Sequence, residues 1–257
     1  MTRFCRVEKV TNFISKIVLC RPDKRNALSL DLARDLIKSC DEIRMNSSLR
    51  AVVVSGEGLG FCSGRDLTHS LSHSKDEADE YLRAAIASVK AVQDLEIPTI
   101  AALHGCAIGY GLELALACDI RVASSETKLS FPETALGIFP GAGGLLMLPS
   151  LIGNYSVAYD WILTGRTIPP DEALIFGLVT RISTDPLAEA ESIAEVICRN
   201  GPLGVREAKR LLRKSISSDT SMQSEVFEAR SKLSETLDHK EALLAYKEKR
   251  IPVFTGR

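Results

Sequence analysis

The run from Thr99 to Ile120 constrains the fold of this chain more than any other stretch. Thr99 to Leu103 is short and apolar, as in a buried strand; Gly105, Gly109 and Gly111 then break regular structure, and an apolar helical pattern resumes at Leu112. A strand, a tight turn and a helix start therefore follow one another without a spacer. Glycines there let a ligand approach the backbone, and the free N–H groups of a helix's first turn point at negative charge above them. Glu113 lies among Leu112, Leu114, Ala115 and Leu116. Burying an unpaired carboxylate is costly, so a glutamate in that company has a partner or a chemical task.

A second glycine-rich segment, Ser55 to Leu67, directly follows Ala51-Val52-Val53-Val54, a wholly apolar strand of the kind covered on both faces in a parallel sheet. Two such loops can aim the main-chain N–H groups of Arg65 and Tyr110 at a common point. That would make an oxyanion hole for a carbonyl that becomes an enolate. Ordinary strand-to-helix turns would give the same glycine spacing. Glu133 follows Phe131-Pro132 at a strand end, twenty residues after Glu113. Two carboxylates beside such a hole could hold a water between them, one taking its proton and the other supplying a proton to carbon. Separately, each reads as an ion-pair member or a solvated charge.

Other chemistries find little support. His69, His73, His104 and His239 have no metal-ligand spacing, and no Gly-x-Ser-x-Gly elbow, Walker loop or complete Gly-x-Gly-x-x-Gly fingerprint is present. Seven scattered cysteines without a Cys-x-x-Cys pair favour reduced thiols over zinc or a disulfide framework. A net charge of -1 offers no general attraction to nucleic acid or anionic membrane. One local exception is Arg206, Lys209, Arg210 and Arg213, a basic stripe at helical spacing with Lys214 beside it. It reads as a solvated face, a phosphate contact or a nucleic-acid patch.

At 257 residues the chain suits one large domain or two small ones. Periodicity predicts strands over 4–9, 13–20, 51–54, 99–103, 120–123, 128–131 and 178–182, with helices over 30–44 and 76–94. Further helices are expected over 155–163, 170–176, 187–199, 203–216 and, unbroken, 222–249. The last third is thus mostly helical, which divides the chain into an α/β core over 1–195 carrying the active site and a helical region over 196–257. Met1 to Val7 shows neither a signal peptide's apolar core nor a long Arg/Ser-rich transit segment, and no apolar run reaches membrane-spanning length. The expected setting is the cytoplasm, or the mitochondrial matrix if a presequence has been removed.

Taken together, the motifs resemble the enoyl-CoA hydratase/isomerase (crotonase) superfamily almost end to end. The resemblance runs from Arg21-Pro22-x-Lys24-x-Asn26-Ala27-Leu28 through Phe61-Cys62-Ser63-Gly64-Arg65-Asp66-Leu67 to Glu248-Lys249-Arg250. Its centre is Gly109-Tyr110-Gly111-Leu112-Glu113 and Pro132-Glu133-x-x-Leu136-Gly137-Ile138-x-Pro140-Gly141-x-Gly143-Gly144. The resemblance implies a crotonase-like α/β spiral of ββα units, a C-terminal helical trimerisation region, and a homotrimer or dimer of trimers. It implies an acyl-CoA thioester substrate, coenzyme A being part of the substrate and no other cofactor being needed; neither a membrane nor a nucleic acid is an expected partner.

By the same resemblance Glu113 and Glu133 fall on the two hydratase glutamates, and the N–H groups of Arg65 and Tyr110 form the oxyanion hole. Lys24, Arg25, Ala27, Ser63, Gly64, Asp66, Leu67, Gly111 and Lys249 are the expected substrate and coenzyme A contacts. Retention of both glutamates favours water addition to a 2-enoyl-CoA. An enoyl-CoA isomerase and a non-catalytic binding protein on this fold are the alternatives. Three features depart from the common hydratase pattern: Arg65 and Tyr110 at the hole, Leu145-Leu146-Met147-Leu148 after the paired glycines, and Lys240-Glu241-Ala242 near the end. The first could narrow or polarise the cleft, and the second could weaken the support beneath it. Phe139, Leu145, Met147 and Trp161 could line the acyl pocket or simply belong to the core.

Overall fold

A computed structural model describes residues 3–68, 72, 74–216, 227, 228, 231, 232, 234–250 and 252. The chain opens with a hairpin, β1 (Cys5–Lys9) and β2 (Ile14–Leu19), in register from Cys5 opposite Leu19 to Lys9 opposite Ser15. Helix α1 (Leu30–Met45) starts where Ser29 Oγ accepts the Leu32 N–H at 3.2 Å. Strand β3 (Ala51–Gly56) then returns parallel to β2. Helix α2 (Lys75–Gln93) begins with a reciprocal capping box between Ser74 and Glu77.

The remaining strands are β4 (Thr99–Leu103), β5 (Cys106–Ile108), β6 (Ile120–Ala123), β7 (Lys128–Ser130) and β8 (Arg181–Ile182). Six of the strands form one sheet in the order β1-β2-β3-β4-β6-β8, parallel from β2 onward, while β5 and β7 pair in a small second sheet. The other helices are α3 (Tyr110–Ala117), α4 (Gly144–Ile152), α5 (Tyr155–Thr164), α6 (Pro170–Ile175), α7 (Pro186–Cys198), α8 (Pro202–Ile216) and α9 (Leu237–Glu248).

The apolar strand β3 shows why the sheet is covered twice. Val52 and Val54 join the large core formed with α1, α2 and α3, whereas Ala51 and Val53 join a smaller core against Ala190, Ile193 and Ala194 of α7. Burial of each such valine contributes about 1.5–3 kcal/mol. A strand so placed has no solvent face, which accounts for its lack of alternation.

Several expectations are corrected by the structure. The unbroken helix over 222–249 does not exist as such: Glu235 and Thr236 leave the helix, and Thr236 Oγ1 caps α9 by accepting the His239 N–H at 3.1 Å. Residues 222–226, 229, 230 and 233 of that stretch, like His69 and His73, lie outside the described residues. The strand expected over 178–182 shrinks to Arg181–Ile182. Strand β5 and helix α4 were not anticipated; both are short and flanked by glycines, and α4 is apolar almost throughout, so neither shows a clear periodic face.

The basic stripe is also largely drawn into the protein. Lys209 Nζ donates to the Ile97 carbonyl and meets Asp119 Oδ2, both at 2.7 Å, and Arg213 Nη2 donates to the Ala117 carbonyl and Asp119 Oδ1, both at 3.0 Å. Arg206 Nη2 reaches the Leu49 carbonyl at 3.4 Å, and Arg210 pairs with Glu207 at 2.6 Å. Burial raises the Asp119 pKa, but Lys209 and Arg213 outweigh it and hold the carboxyl below its ordinary value. Lys209 and Arg213 thus fasten α8 to the start of β6 rather than forming a solvated face or a nucleic-acid patch. Among the described residues no helix is long and apolar enough to cross a membrane.

Candidate active site

The two glycine loops lie side by side. Cys62 forms a parallel bridge with Ala107: its N–H donates to the Cys106 carbonyl at 3.0 Å, and its carbonyl accepts the Ile108 N–H at 3.1 Å. Gly111 closes this contact, because a Cβ there would stand 2.3 Å from the Cys62 carbonyl oxygen. Only glycine lets the start of α3 approach the 61–65 strand so closely. Gly64, in turn, sits over the Ile108 carbonyl.

The N–H groups on either side of this seam are left pointing outward. The bridge between Leu28 and Arg65 uses the Leu28 N–H, to the Gly64 carbonyl at 2.7 Å, and the Asp66 N–H, to the Leu28 carbonyl at 3.0 Å. In this alternation the Arg65 N–H faces the opposite side. Tyr110 is the first residue of α3, where a helical N–H has no partner within its own helix. Neither N–H donates to an acceptor among the described residues.

Glu133 comes to the turn at Gly109 through its carboxylate, and Glu113 through its backbone, whose N–H donates to the Gly109 carbonyl at 2.9 Å. Glu113 is in the first turn of α3 and only 3 % exposed. Its Oε1 accepts the N–H groups of Ala142 at 2.8 Å and Gly144 at 2.9 Å, so the glycine cluster at 141–144 serves it through backbone donors. Replacement of a polar cluster by Leu145-Leu146-Met147-Leu148 therefore leaves that support intact. Glu133 rides on the 3₁₀ turn Pro132–Leu136, half-buried, with Oε1 2.8 Å from where a Cβ on Gly109 would be. Gly109 has φ 52°, a left-handed conformation that suits glycine. The turn itself is anchored at its middle and its end: Thr134 Oγ1 donates to the Ile162 carbonyl at 2.9 Å, and His239 Nδ1 donates to the Leu136 carbonyl at 2.7 Å.

The structure gathers most of the other expected residues on the same rim. Lys24 and Arg25 are exposed, and their carbonyls accept the Ser63 hydroxyl at 3.1 Å and the Ser63 N–H at 3.0 Å. Ala27 is buried behind them, and Leu67 is half-buried at the loop's far end. Asp66 meets Arg21 Nη2 at 2.7 Å and accepts the Thr68 N–H at 3.0 Å. Burial raises its pKa, but Thr68 and Arg21 overcome that and hold it at about 2. Lys249 is set apart: it is exposed at the end of α9 and makes no hydrogen bond to the 24–25 or 63–67 loops.

The Tyr110 side chain, one of the two that could have narrowed the cleft, is turned aside. The Tyr110 hydroxyl hydrogen-bonds with Ser88 Oγ at 2.7 Å, buried beneath α2, and burial pushes its pKa well up. The Arg65 guanidinium lies 4.6 Å from the centre of the Tyr81 ring. Trp161 belongs to the core, fully buried with Nε1 donating to Glu172 at 2.9 Å. Cys62, next to the rim, is buried with its pKa pushed up to about 12, which keeps it a thiol.

Asn26 is the site residue that sequence reasoning undervalued. It is fully buried with φ 57°; its Nδ2 donates to the Glu57 and Gly60 carbonyls, both at 2.9 Å, and its Oδ1 accepts the Arg21 N–H at 2.8 Å. An asparagine tolerates the left-handed conformation and bonds locally to backbone, so its place between Arg25 and Ala27 was an available signal.

The sequence profile described as enoyl-CoA hydratase/isomerase matches residues 9–257. A Bacillus subtilis protein whose name provisionally assigns it to the enoyl-CoA hydratase/isomerases is 39 % identical over 244 residues, covering 93 % of this chain and 94 % of its own length. The human mitochondrial methylglutaconyl-CoA hydratase is 35 % identical over 240 residues, 90 % of this chain and 70 % of that protein. The crystal structure of carnitinyl-CoA hydratase from Mycobacterium avium superposes with a TM-score of 0.89 at 31 % identity, covering 100 % of both chains. The fold is thus the crotonase-like α/β fold. The chain belongs to the enoyl-CoA hydratase/isomerase family, and membership implies that it binds an acyl-CoA thioester.

Proposed function

We propose that the protein is an enoyl-CoA hydratase, adding water reversibly to a 2-enoyl-CoA to give a 3-hydroxyacyl-CoA. The observation that carries this reading is a turn whose Tyr110 N–H has no acceptor among the described residues, with the Glu133 carboxylate against Gly109 on one side and Glu113, in the first turn of α3, on the other. The thioester oxygen accepts the N–H groups of Arg65 and Tyr110. As the oxygen of water bonds to C3, the C2=C3 π pair moves toward that thioester oxygen, and the two donors stabilise the resulting enolate. Glu113 and Glu133 hold the water between them, and its proton passes to Glu133 as the C3–O bond forms. Glu133 then delivers a proton to C2, so that one water is consumed and neither carboxylate is changed overall. No group beyond the coenzyme A of the substrate is required.

Loss of conjugated-thioester ultraviolet absorbance on adding the protein to crotonyl-CoA tests the reading, with Glu133→Gln run in parallel. Rapid loss with the wild type and not with the variant is expected; equal rates in both would overturn it. Product analysis with a 3-enoyl-CoA separates hydration from double-bond isomerisation.

Assembly as a trimer or a dimer of trimers belongs to the same proposal. It is supported by the exposure of Leu211, Leu212, Leu237, Leu244 and Tyr246 on α8 and α9, and light scattering measures it. A cytoplasmic or mitochondrial-matrix setting is proposed with it; cell fractionation distinguishes the two.

A further inference from the structure

Arg65 supplies more than a backbone donor. Its Nε is buried without a hydrogen-bond partner among the described residues, and its other guanidinium nitrogens donate to no described acceptor. What it does contact is the face of the Tyr81 ring on α2. Among the described residues Arg65 makes no ion pair. Asp66, its neighbour in sequence, faces Arg21; on α2, Glu77 caps the helix, Asp79 accepts the Ser231 hydroxyl, and Glu80 pairs with Arg34 at 3.0 Å. Burial lowers the Arg65 pKa, opposed only by Tyr81. An arginine remains protonated even so, and a half-buried cation without a counter-charge is costly in a folded protein.

The position of this cation relates it to the bound acyl chain. Tyr81, Ala85, Ser88 and Val89 form one stripe of α2, all buried. Ser88 touches the Tyr110 hydroxyl, and Val89 lies 3.9 Å from where a Cβ on Gly143 would be, close to Met147. The stripe therefore runs from the Arg65 guanidinium, past the helix that begins at Tyr110, to the cluster that holds Glu113. The guanidinium can reach roughly 6–7 Å from its own N–H, the length of a short acyl chain.

Resting on the hydratase reading above, we infer that the Arg65 guanidinium recognises a carboxylate at the far end of the acyl group, making the preferred substrate the mono-thioester of a short unsaturated dicarboxylic acid. A carboxylate there would accept two parallel N–H bonds from the guanidinium and neutralise it under α2. The phosphates of coenzyme A are the other source of anionic oxygen. The exposed Lys24 and Arg25 suit those solvated groups, whereas a guanidinium with a buried Nε suits the enclosed acyl end.

The test compares glutaconyl-CoA with 2-pentenoyl-CoA, which has the same chain length but no carboxylate. The wild type should favour glutaconyl-CoA in kcat/KM by about tenfold to a hundredfold, and Arg65→Met should abolish that ratio while Arg65→Lys keeps part of it. Absence of a preference in the wild type would overturn the inference. So would equal losses on both thioesters in Arg65→Met, the pattern expected for a coenzyme A phosphate contact or a folding defect. If neither thioester is turned over, the hydratase reading fails, and calorimetry with saturated glutaryl-CoA and valeryl-CoA decides this question separately. Selective weakening of glutaryl-CoA by Arg65→Met upholds carboxylate recognition; equal affinities for the two ligands, or equal weakening, refute it.

Discussion

Glu113 and Glu133 both approach the turn at Gly109, one through its backbone and the other through its carboxylate, yet the surrounding protein holds them differently. Glu113 projects from a regular helix and is 3 % exposed, with two backbone N–H groups on one oxygen. Glu133 sits on a 3₁₀ turn tied to distant elements, its own Thr134 donating to the α5 carbonyl of Ile162 and His239 of α9 donating to the Leu136 carbonyl. Backbone donors fix a carboxylate with the rigidity of the fold. Remote side-chain ties leave it dependent on helices that pack late in the chain. The first arrangement suits a group that only orients water; the second suits one that receives and releases a proton.

The largest expected effects sharpen this contrast from the chemistry side. Glu113→Gln and Glu133→Gln should each reduce hydration by about 10²–10⁴-fold with the circular dichroism spectrum unchanged. Undiminished rates in either would remove that residue from the mechanism.

Next come the two glycines of the seam. Gly111→Ala sets a methyl 2.3 Å from the Cys62 carbonyl, a clash with backbone, and should cost about 1–3 kcal/mol or more in chemical denaturation. Gly109→Ala instead meets the Glu133 carboxylate at 2.8 Å, a side chain that can move. It should lower kcat more than its loss of stability predicts, and a loss in stability alone would break the distinction.

A smaller effect is expected at the tie between α9 and the Glu133 turn. His239→Ala removes one hydrogen bond, worth about 1 kcal/mol, and should lower kcat several-fold with KM little changed. Equal changes in both constants would mean that the tie orders the binding rim as well.

The smallest effect concerns the rim at Asp66. Its pKa in the folded chain is about 2, below the ordinary 3.8, so its contribution to stability is complete above the ordinary value and is lost as the pH falls through the folded one. The stability difference between the wild type and Asp66→Asn should therefore be constant above about pH 5 and shrink as the pH falls toward the folded pKa. A gap independent of pH across that window would assign the difference to packing.

Much of this architecture was legible from local patterns. The run Ala51 to Val54 announced a strand covered on both faces, and Ser29 marked the start of α1. The features that escaped share a cause. Thr236 ends one helical stretch and caps the next inside a continuous helical pattern, and a single capping hydroxyl is a weak signal against that periodicity. Lys209 and Arg213 looked like solvated charges because Asp119 and the carbonyls they bind lie far away in the chain, up to 112 residues for Ile97.

What the sequence alone determined, then, is the alternation of strand and helix, the two glycine turns and the presence of two glutamates beside them, because each depends on neighbours within a few residues. Tertiary structure alone decided which N–H groups stay open, that Ala142 and Gly144 serve Glu113, and that α9 steadies the turn of Glu133. It also decided that the Tyr110 side chain is buried beneath α2 while the Arg65 guanidinium lies over Tyr81 without a counter-ion among the described residues. The physical reason is that hydrogen bonds and charges are satisfied in space, and residues distant in the chain become neighbours only when the sheet and its helices close around the turn.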